Sequence, residues 1–253
     1  DLPSFPTRRS SDLNTLSIAA QLRDPAGNLS PNGEASAIID TTVFADLGIR
    51  IVEDRNDDGF IAIAELRDND IDVRVTLPRG AAVGDSLTVS ASGNVDQVVT
   101  LSAAHLAAGY IDFKFNPTAD NTDFVATARI VDNAGNSAGP VSDSARLMLS
   151  EPGVPIVTLV EDRNNDGWIN AAELQGGIDV SITLPGTANA GDSLLVSVNG
   201  SALPPRVLSL DDIRRGSIEL SVASPGEGLR IEVSAQVRDP AGNLGKAGSD
   251  WAV

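Results

Sequence analysis

The segment GIRIVEDRNDDGFIAIAEL at Gly48–Leu66 is repeated, with changes, as VTLVEDRNNDGWINAAEL at Val157–Leu174. In both copies a short run of alternating polarity is followed by an acidic loop. The runs before the loops are rich in β-branched residues and alternate in polarity, which is typical of a strand. The loops, Asp54–Glu65 and Asp162–Glu173, each have twelve residues and lie 108 positions apart. A strand before each loop, and this wide spacing, predict an all-β protein rather than a helix–loop–helix calcium sensor.

The repeat extends well beyond the loops. The further matching segments are IDVRVTLP (Ile71–Pro78) with IDVSITLP (Ile178–Pro185), GDSLTVSASGN (Gly84–Asn94) with GDSLLVSVNGS (Gly191–Ser201), LSAAHLAAGYIDF (Leu101–Phe113) with LSLDDIRRGSIEL (Leu208–Leu220), and VDNAGN (Val131–Asn136) with VRDPAGN (Val237–Asn243). A period of about 107 residues is too long for a solenoid unit and fits tandem whole domains.

The repeat also predicts the domain limits. Two full repeats are expected at 43–152 and 153–253, the second with an incomplete last strand. LRDPAGNLS at Leu22–Ser30 matches the VDNAGN region, so residues 14–42 are expected to be the C-terminal hairpin of a truncated preceding repeat. Residues 1–13, DLPSFPTRRSSDL, share nothing with the repeat and resemble a translated sequencing adapter, so they are set aside as a non-native tail.

Within one repeat, apolar residues alternate and turn residues recur every eight to twelve positions, which predicts an immunoglobulin-like β-sandwich. The strands expected in the first repeat are Gly48–Glu53, Asp70–Leu77, Ser86–Ser92, Val98–Leu101, Tyr110–Phe115, Asp123–Val131 and Ser142–Leu149. In the second of these strands, Val73, Val75 and Leu77 should face inward and Asp72, Arg74 and Thr76 outward. Short helical segments are expected only at Ile63–Leu66 and Ser102–Ala108.

Composition excludes several functions. Acidic residues outnumber basic ones by 35 to 18, and the net charge of −17 argues against a nucleic-acid or anionic-membrane partner. The chain has no cysteine and no apolar run of about 18 residues. Its one histidine, His105, is expected in an exposed helical turn, so histidine-based triads lack partners. Few aromatic residues are available for sugar stacking, and we expect no enzyme and no small-molecule substrate; a paired-carboxylate hydrolase remains formally open.

Both loops have the pattern of a Ca²⁺ site, with oxygen ligands at positions 1, 3, 5, 7 and 12 and glycine at 6. The expected ligands are Asp54, Asn56, Asp58, the carbonyl of Phe60 and Glu65 in the first loop, and Asp162, Asn164, Asp166, the carbonyl of Trp168, Asn170 and Glu173 in the second. Position 9 is Ala62 in the first loop, which predicts a weaker site there. Ile61 and Ile169 are expected to anchor the loops to the core. The alternative is an acidic turn without metal, although a plain turn does not require a glutamate six residues after its glycine.

The calcium is expected to be structural, because Met148 is the only methionine and no methionine-rich sensor groove can form. In an immunoglobulin-like topology the first loop lies at the pole facing the next repeat. The Asp54–Glu65 loop should therefore approach Asp239–Asn243 of that repeat, where calcium would stiffen the junction. The alternative is that the Asp-x-Ala-Gly-Asn segment is only a β-turn.

These motifs together resemble the tandem immunoglobulin-like repeats of giant, biofilm-associated bacterial surface adhesins of the RTX class. In that family an acidic DxNxDGxINAAE loop lies near the first strand, a VxVTLP-like strand follows, and a D-x-AGN hairpin closes the repeat. The resemblance covers residues 14–253; IAIAE in the first loop departs from INAAE. It implies type I secretion, an extracellular or cell-surface location, and rod-like spacers that calcium stiffens, with neighbouring repeats and calcium ions as partners and no membrane insertion.

Three other functions fit part of the sequence. The repeats could be accessory modules of a secreted multidomain enzyme, which the flanking sequence would decide. A dockerin-like module also uses DxNxDG loops, but its loops lie close together on helices, unlike these. Direct ligand binding by the repeats would require a deep or aromatic-lined pocket, and none is expected.

Overall fold

The fold is all-β, with two immunoglobulin-like sandwiches in tandem after an N-terminal hairpin. A computed structural model describes residues 14–174 and 176–253. The expected tail at 1–13 lies outside the described residues. The hairpin comprises β1 (Asn14–Ala20) and β2 (Gly33–Ile39), which pair antiparallel.

The first sandwich is built from two sheets. Its elements are β3 (Gly48–Ile51), β4 (Phe60–Ala62), β5 (Ile71–Thr76), β6 (Ser86–Ala91), β7 (Gln97–Thr100), α1 (Ala103–Ala108), β8 (Tyr110–Phe115), β9 (Asp123–Val131) and β10 (Ser137–Met148). One sheet has the order β3-β5-β8 and the other β4-β10-β9-β6-β7. All pairs are antiparallel except β4 with β10, which is parallel.

The second sandwich repeats this plan. Its elements are β11 (Ile156–Leu159), β12 (Ile178–Thr183), β13 (Ser193–Val198), β14 (Ser201–Ala202), β15 (Arg206–Val207), α2 (Leu210–Arg215), β16 (Ser217–Val222), β17 (Ile231–Arg238) and β18 (Gly248–Ala252). One sheet has the order β11-β12-β16; in the other, β13 pairs with β17 and β17 with β18, while β14 and β15 both pair with β13. Ile169 N–H donates to the carbonyl of Val253, and Val253 N–H to that of Gly167, so the loop meets the last strand much as β4 meets β10.

Each sandwich encloses its own core. The inward positions of β9 and of β17 are at most 2% exposed, and these are Phe124, Ala126, Ala128 and Ile130, and Ile231, Val233, Ala235 and Val237. In β5, Val73 and Val75 are buried as expected, and Leu77 packs against the core. The corresponding positions of β1 lie open, with Leu16 and Ile18 50% and 58% exposed, because the hairpin carries no facing sheet among the described residues.

Two local predictions require correction. Ile63–Leu66 forms a turn rather than a helix, in which the N–H groups of Glu65 and Leu66 both donate to the Ala62 carbonyl. The preceding residues pair with β10 as strand β4, which was not expected from the sequence, so the backbone is extended where it enters this turn. His105 is half-buried rather than exposed. Its Nδ1 accepts a hydrogen bond from Ser102 N–H at the start of α1, and Asp212 makes the equivalent cap in α2.

Candidate metal centres

The first half of the Asp54–Glu65 loop is organised around the carboxylate of Asp54, which is 8% exposed. Asp54 accepts hydrogen bonds from the N–H groups of Asp58 (3.1 Å) and Gly59 (3.0 Å). Asp58 Oδ1 accepts from Phe60 N–H at 2.9 Å, and Asn56 Oδ1 accepts from Asp58 N–H at 3.3 Å. Gly59 has φ +82°, which a β-carbon would resist. Hydrogen bonds from the backbone N–H groups of the loop therefore hold the side chains at positions 1, 3 and 5 in place.

The second loop has the same arrangement. Asp162 accepts from Asp166 N–H (3.0 Å) and Gly167 N–H (2.9 Å), and Asp166 Oδ1 accepts from Trp168 N–H at 2.9 Å. Asn164 Oδ1 accepts from Asp166 N–H at 3.2 Å. Gly167 has φ +80°. Two loops of different sequence thus adopt one conformation at the positions predicted to bind metal.

The glutamate at position 12 closes each loop. Glu65 Oε2 accepts from Ala62 N–H at 2.9 Å, and Glu173 Oε2 accepts from Asn170 N–H at 3.0 Å. Asn170 also donates its side-chain amide to Glu173 Oε2 at 2.5 Å, whereas Ala62 offers no such group. Glu65 Oε1 accepts a longer hydrogen bond, 3.3 Å, from Arg55 N–H. The two loops therefore differ in the contacts that hold the glutamate, and the difference lies at position 9, which is Ala62 in the first loop and Asn170 in the second.

Buried carboxylates that the sequence pattern did not predict anchor the strand before each loop. Glu53 and Glu161, 4% and 6% exposed, accept hydrogen bonds of 2.6 Å from the N–H groups of Asp72 and Asp179 respectively. Burial raises the pKa of Glu53, and the hydrogen bond from Asp72 N–H opposes that rise. The signal was present in the sequence, because Val-Glu directly precedes both loops.

The isoleucine at position 8 ties each loop to its sandwich. Ile61 is fully buried in the first core, and Ile169 is half-buried and packs against the second. Both anchors agree with the sequence prediction. Outside them, Asn56 and Asp58 are exposed to solvent, as are Asn164 and Asp166. Each loop therefore combines a fixed inner side with ligand positions that an ion can reach.

The donor set fits Ca²⁺, which binds hard oxygen ligands. Across 14–174 and 176–253, no three Asp, Glu, His or Cys side chains lie close enough to hold an ion alone. The structure therefore does not bring the three carboxylates predicted for each loop within reach of one ion, although each predicted set also includes an asparagine oxygen and a backbone carbonyl. Each hydrogen-bonded carboxylate oxygen also retains a second acceptor position. The donor types in each loop are those that calcium accepts, and amide, carbonyl and water oxygens would have to complete the coordination.

The first loop contacts the next repeat, as the sequence predicted. Ile63 N–H donates to Asn243 Oδ1 at 3.0 Å, and Asn243 Nδ2 donates to the Met148 carbonyl at 2.8 Å. Asn243 is 9% exposed and also bonds both carboxylate oxygens of Asp239 within its own turn, where Gly242 has φ +93°. The Asp-x-Ala-Gly-Asn segment is thus a β-turn that also joins two repeats.

Replacing Asn243 by alanine is expected to loosen this junction. The substitution removes the acceptor of Ile63 N–H and the donor to Met148, and one such bond contributes about 1 kcal/mol. Hydrogen–deuterium exchange at the Ile63 amide should accelerate by about fivefold. Asn136→Ala is the matched control, because Asn136 makes the same turn but reaches Asp40 of the hairpin instead. Unchanged exchange at Ile63 would contradict the contact.

Comparisons with known proteins identify no family. No protein-family profile matches the chain, and no curated protein matches it. Among solved structures it is similar to a tetra-tandem repeat in the extending region of a large adhesion protein, at 19% identity and TM-score 0.42, covering 95% of this chain and 57% of that one. It is also similar to fibronectin(III)-like modules of Clostridium thermocellum CbhA (12% identity, TM-score 0.41, 81% and 93% covered) and to chicken CNTN1 FN1–FN3 domains (10%, 0.36, 92% and 75%).

The first of these structures is longer than the chain, which spans 57% of its length. In the described part of the chain, no helix is long and apolar enough to cross a membrane.

Proposed function

We propose that this chain consists of calcium-stabilised spacer repeats from a large extracellular bacterial adhesin that serves cell adhesion and biofilm formation. The observation that carries the proposal is the shared conformation of the two loops. In both, the same backbone N–H groups hold the side chains at positions 1, 5 and 12. Chance acidic turns have no reason to keep this hydrogen-bonding pattern across two repeats.

The mechanism follows from charge. Each loop carries three carboxylates at ligand positions, namely Asp54, Asp58 and Glu65 in the first. Without a cation these groups repel one another, and the loop between β3 and β5 is easily opened. A bound Ca²⁺ turns the repulsion into shared coordination and closes that edge of the sandwich. Calcium-poor cytosol would then keep the chain loose for export, and calcium outside the cell would make it rigid.

The contact at the repeat junction supports the spacer role. The loop residue Ile63 donates its N–H to Asn243 of the next repeat. A loop ordered by calcium would hold that N–H in place, and the hinge between the repeats would move less. Small-angle scattering with and without calcium tests this, and we expect a larger maximum dimension with calcium. Equal maximum dimensions would contradict the stiffening.

Each loop should bind calcium separately, and the second should bind more tightly. Glu173→Gln leaves the first loop as a site, and Glu65→Gln leaves the second. Because Asn170 supports Glu173 and Ala62 gives Glu65 no side-chain contact, the first loop should be weaker by roughly threefold to tenfold, about 1 kcal/mol. Calorimetric titration of both variants with calcium chloride measures the difference.

The conservative replacement makes this a clean comparison. Glutamine keeps an oxygen that accepts from the position 9 N–H and removes the bidentate charge that calcium requires. Trp168, at position 7 of the second loop and 62% exposed, gives an independent fluorescence signal that should respond only where Glu173 is intact. The proposed function is wrong if the unmodified chain binds no calcium at either loop.

A further inference from the structure

Both tryptophans of the chain lie on one exposed face of the second sandwich. Trp251 is on β18, opposite Glu232 of β17, and Trp168 is in the loop segment that meets the end of β18. The neighbours Ile169 and Ala252 pack towards the core, so side-chain alternation directs both indoles outward. Trp168 is 62% exposed and Trp251 48%. Large apolar side chains exposed together mark a binding surface, and neither core packing nor the loop ligands require these two.

The ring of Trp251 is held in place from two directions. The guanidinium carbon of Arg230 lies 4.7 Å from the centroid of the ring, and Arg230 also pairs with Glu232 at 3.2 Å. A β-carbon added to Gly167 would lie 3.3 Å from Cη2 of Trp251, so the indole rests on the loop backbone directly beside Trp168. Fixed aromatic rings offer contact area that a ligand can cover at a low cost in conformational entropy.

The charge of this face favours a neutral partner. Glu232 neutralises Arg230, and the same face continues along the sheet with the hydroxyl groups of Ser249, Ser234 and Ser197, the last two with their oxygens 2.8 Å apart. The whole chain carries a net charge of −17, which repels anionic ligands and also a second copy of itself. A neutral ligand rich in hydroxyl groups meets no such repulsion and can pair with the polar groups between and beside the indoles.

The first repeat lacks this face, although its strands pair in the same way. Ser144 and Val125 are opposite each other there, in the places of Trp251 and Glu232. Ser144 is exposed even though another repeat follows, so the next repeat does not cover this position. The sandwich therefore folds without a tryptophan here, and the position faces outward from the array. Both facts indicate that the indole in the second repeat contacts something other than its own fold or its neighbour.

We propose that the face formed by Trp168, Trp251, Arg230 and Glu232 binds a neutral polysaccharide. The apolar faces of pyranose rings would pack on the exposed indole surface. The guanidinium, the carboxylate and the indole N–H groups would exchange hydrogen bonds with the sugar hydroxyls. The number of aromatic residues in the sequence is too small to predict sugar stacking, but the fold brings the two tryptophans together. The spacer would thus attach to a glycan from its side, which its role as a spacer does not require.

Native electrophoresis of the full chain tests the site, in gels that contain hydroxyethyl cellulose, galactomannan or arabinoxylan, with polygalacturonate as the anionic comparison. At least one of the three neutral polysaccharides should retard the unmodified chain. Trp251→Ser should weaken that binding by at least about tenfold, because a buried tryptophan contact is lost. Serine occupies the equivalent position of the first repeat, so the variant is expected to fold, and its melting temperature checks that it does.

Tyr110→Ser is the matched control. Tyr110 is a ring in the first repeat that is 40% exposed, and the guanidinium carbon of Arg74 lies 3.9 Å from its centroid, but it belongs to the other sheet. If the tryptophan face is the site, this variant should be retarded as strongly as the unmodified chain. Equal weakening by Tyr110→Ser and Trp251→Ser would contradict the proposal.

The remaining outcomes are also decisive. Retardation by none of the neutral polysaccharides, or by polygalacturonate alone, would overturn the proposal. A dimer in sedimentation that Trp251→Ser dissociates, without retardation by any polysaccharide, would show that the face joins two copies of the chain and would overturn it as well. Calorimetric titration of Trp251→Ser with calcium chloride should match that of the unmodified chain, so the result at this face leaves the test of the calcium loops separate.

Discussion

Removing calcium should lower the unfolding free energy of each repeat by about 2.7 kcal/mol when calcium is present at about a hundred times the dissociation constant. For extracellular modules that constant is on the order of 0.1 mM, so about 10 mM calcium meets the condition. A domain of about 100 residues shifts its melting temperature by roughly 4–8 °C per kcal/mol, so a chelator should lower the midpoint by roughly 10–20 °C. Differential scanning calorimetry with calcium and with chelator measures this shift.

The second repeat can be followed on its own. Both tryptophans, Trp168 and Trp251, lie in it, so tryptophan fluorescence reports its unfolding while circular dichroism reports both repeats. Glu65→Gln/Glu173→Gln should lose most of the shift. Equal midpoints of thermal unfolding with and without calcium in the unmodified chain would contradict a stabilising role of the loops.

Replacing Phe124 by alanine should cost the first repeat about 3–5 kcal/mol. The side chain is fully buried between the sheets, and its ring lies 6.4 Å from that of Phe115, centroid to centroid. The cavity left by the ring cannot be filled without moving both sheets, because protein cores are close-packed. A typical domain has only about 5–15 kcal/mol of stability, so part of the first repeat could unfold at ambient temperature. Urea denaturation followed by circular dichroism measures the loss.

The neighbouring residue supplies the control. Val125 lies on the same strand with its side chain 38% exposed on the opposite face, and Val125→Ala should change stability by no more than about 0.5 kcal/mol. The tryptophan transition of the second repeat should stay nearly unchanged in both variants, because the two sandwiches have separate cores. A loss of similar size from both substitutions would show that Phe124 does not hold the core together.

The sequence predicted the strands well where the alternation of apolar and polar residues along the strand is the deciding signal. Tyr110–Phe115 and Asp123–Val131 have the expected bounds, because alternation and flanking turn residues are local signals. Strand β4 was missed because its three residues lie inside the acidic loop and become a strand only by pairing with Arg146–Met148, far along the chain. The expected helical turn after it failed for the same reason.

The candidate site divides in the same way. Positions 1 to 12 of each loop are contiguous, so ligand types and order can be read directly from the sequence. The backbone N–H groups that hold these side chains could not be predicted, because they come together only when the loop folds.

The loop contact between repeats uses two different surfaces of one unit, since the Ile63 side belongs to one repeat and Asn243 to its successor. Such a head-to-tail contact is heterologous and does not close on itself, in contrast to a twofold interface. When one repeat of about 107 residues is duplicated or deleted in the gene, the repeats that become neighbours can form the same contact. The length of the repeat array can therefore change by unequal recombination alone, because no new interface between repeats is required.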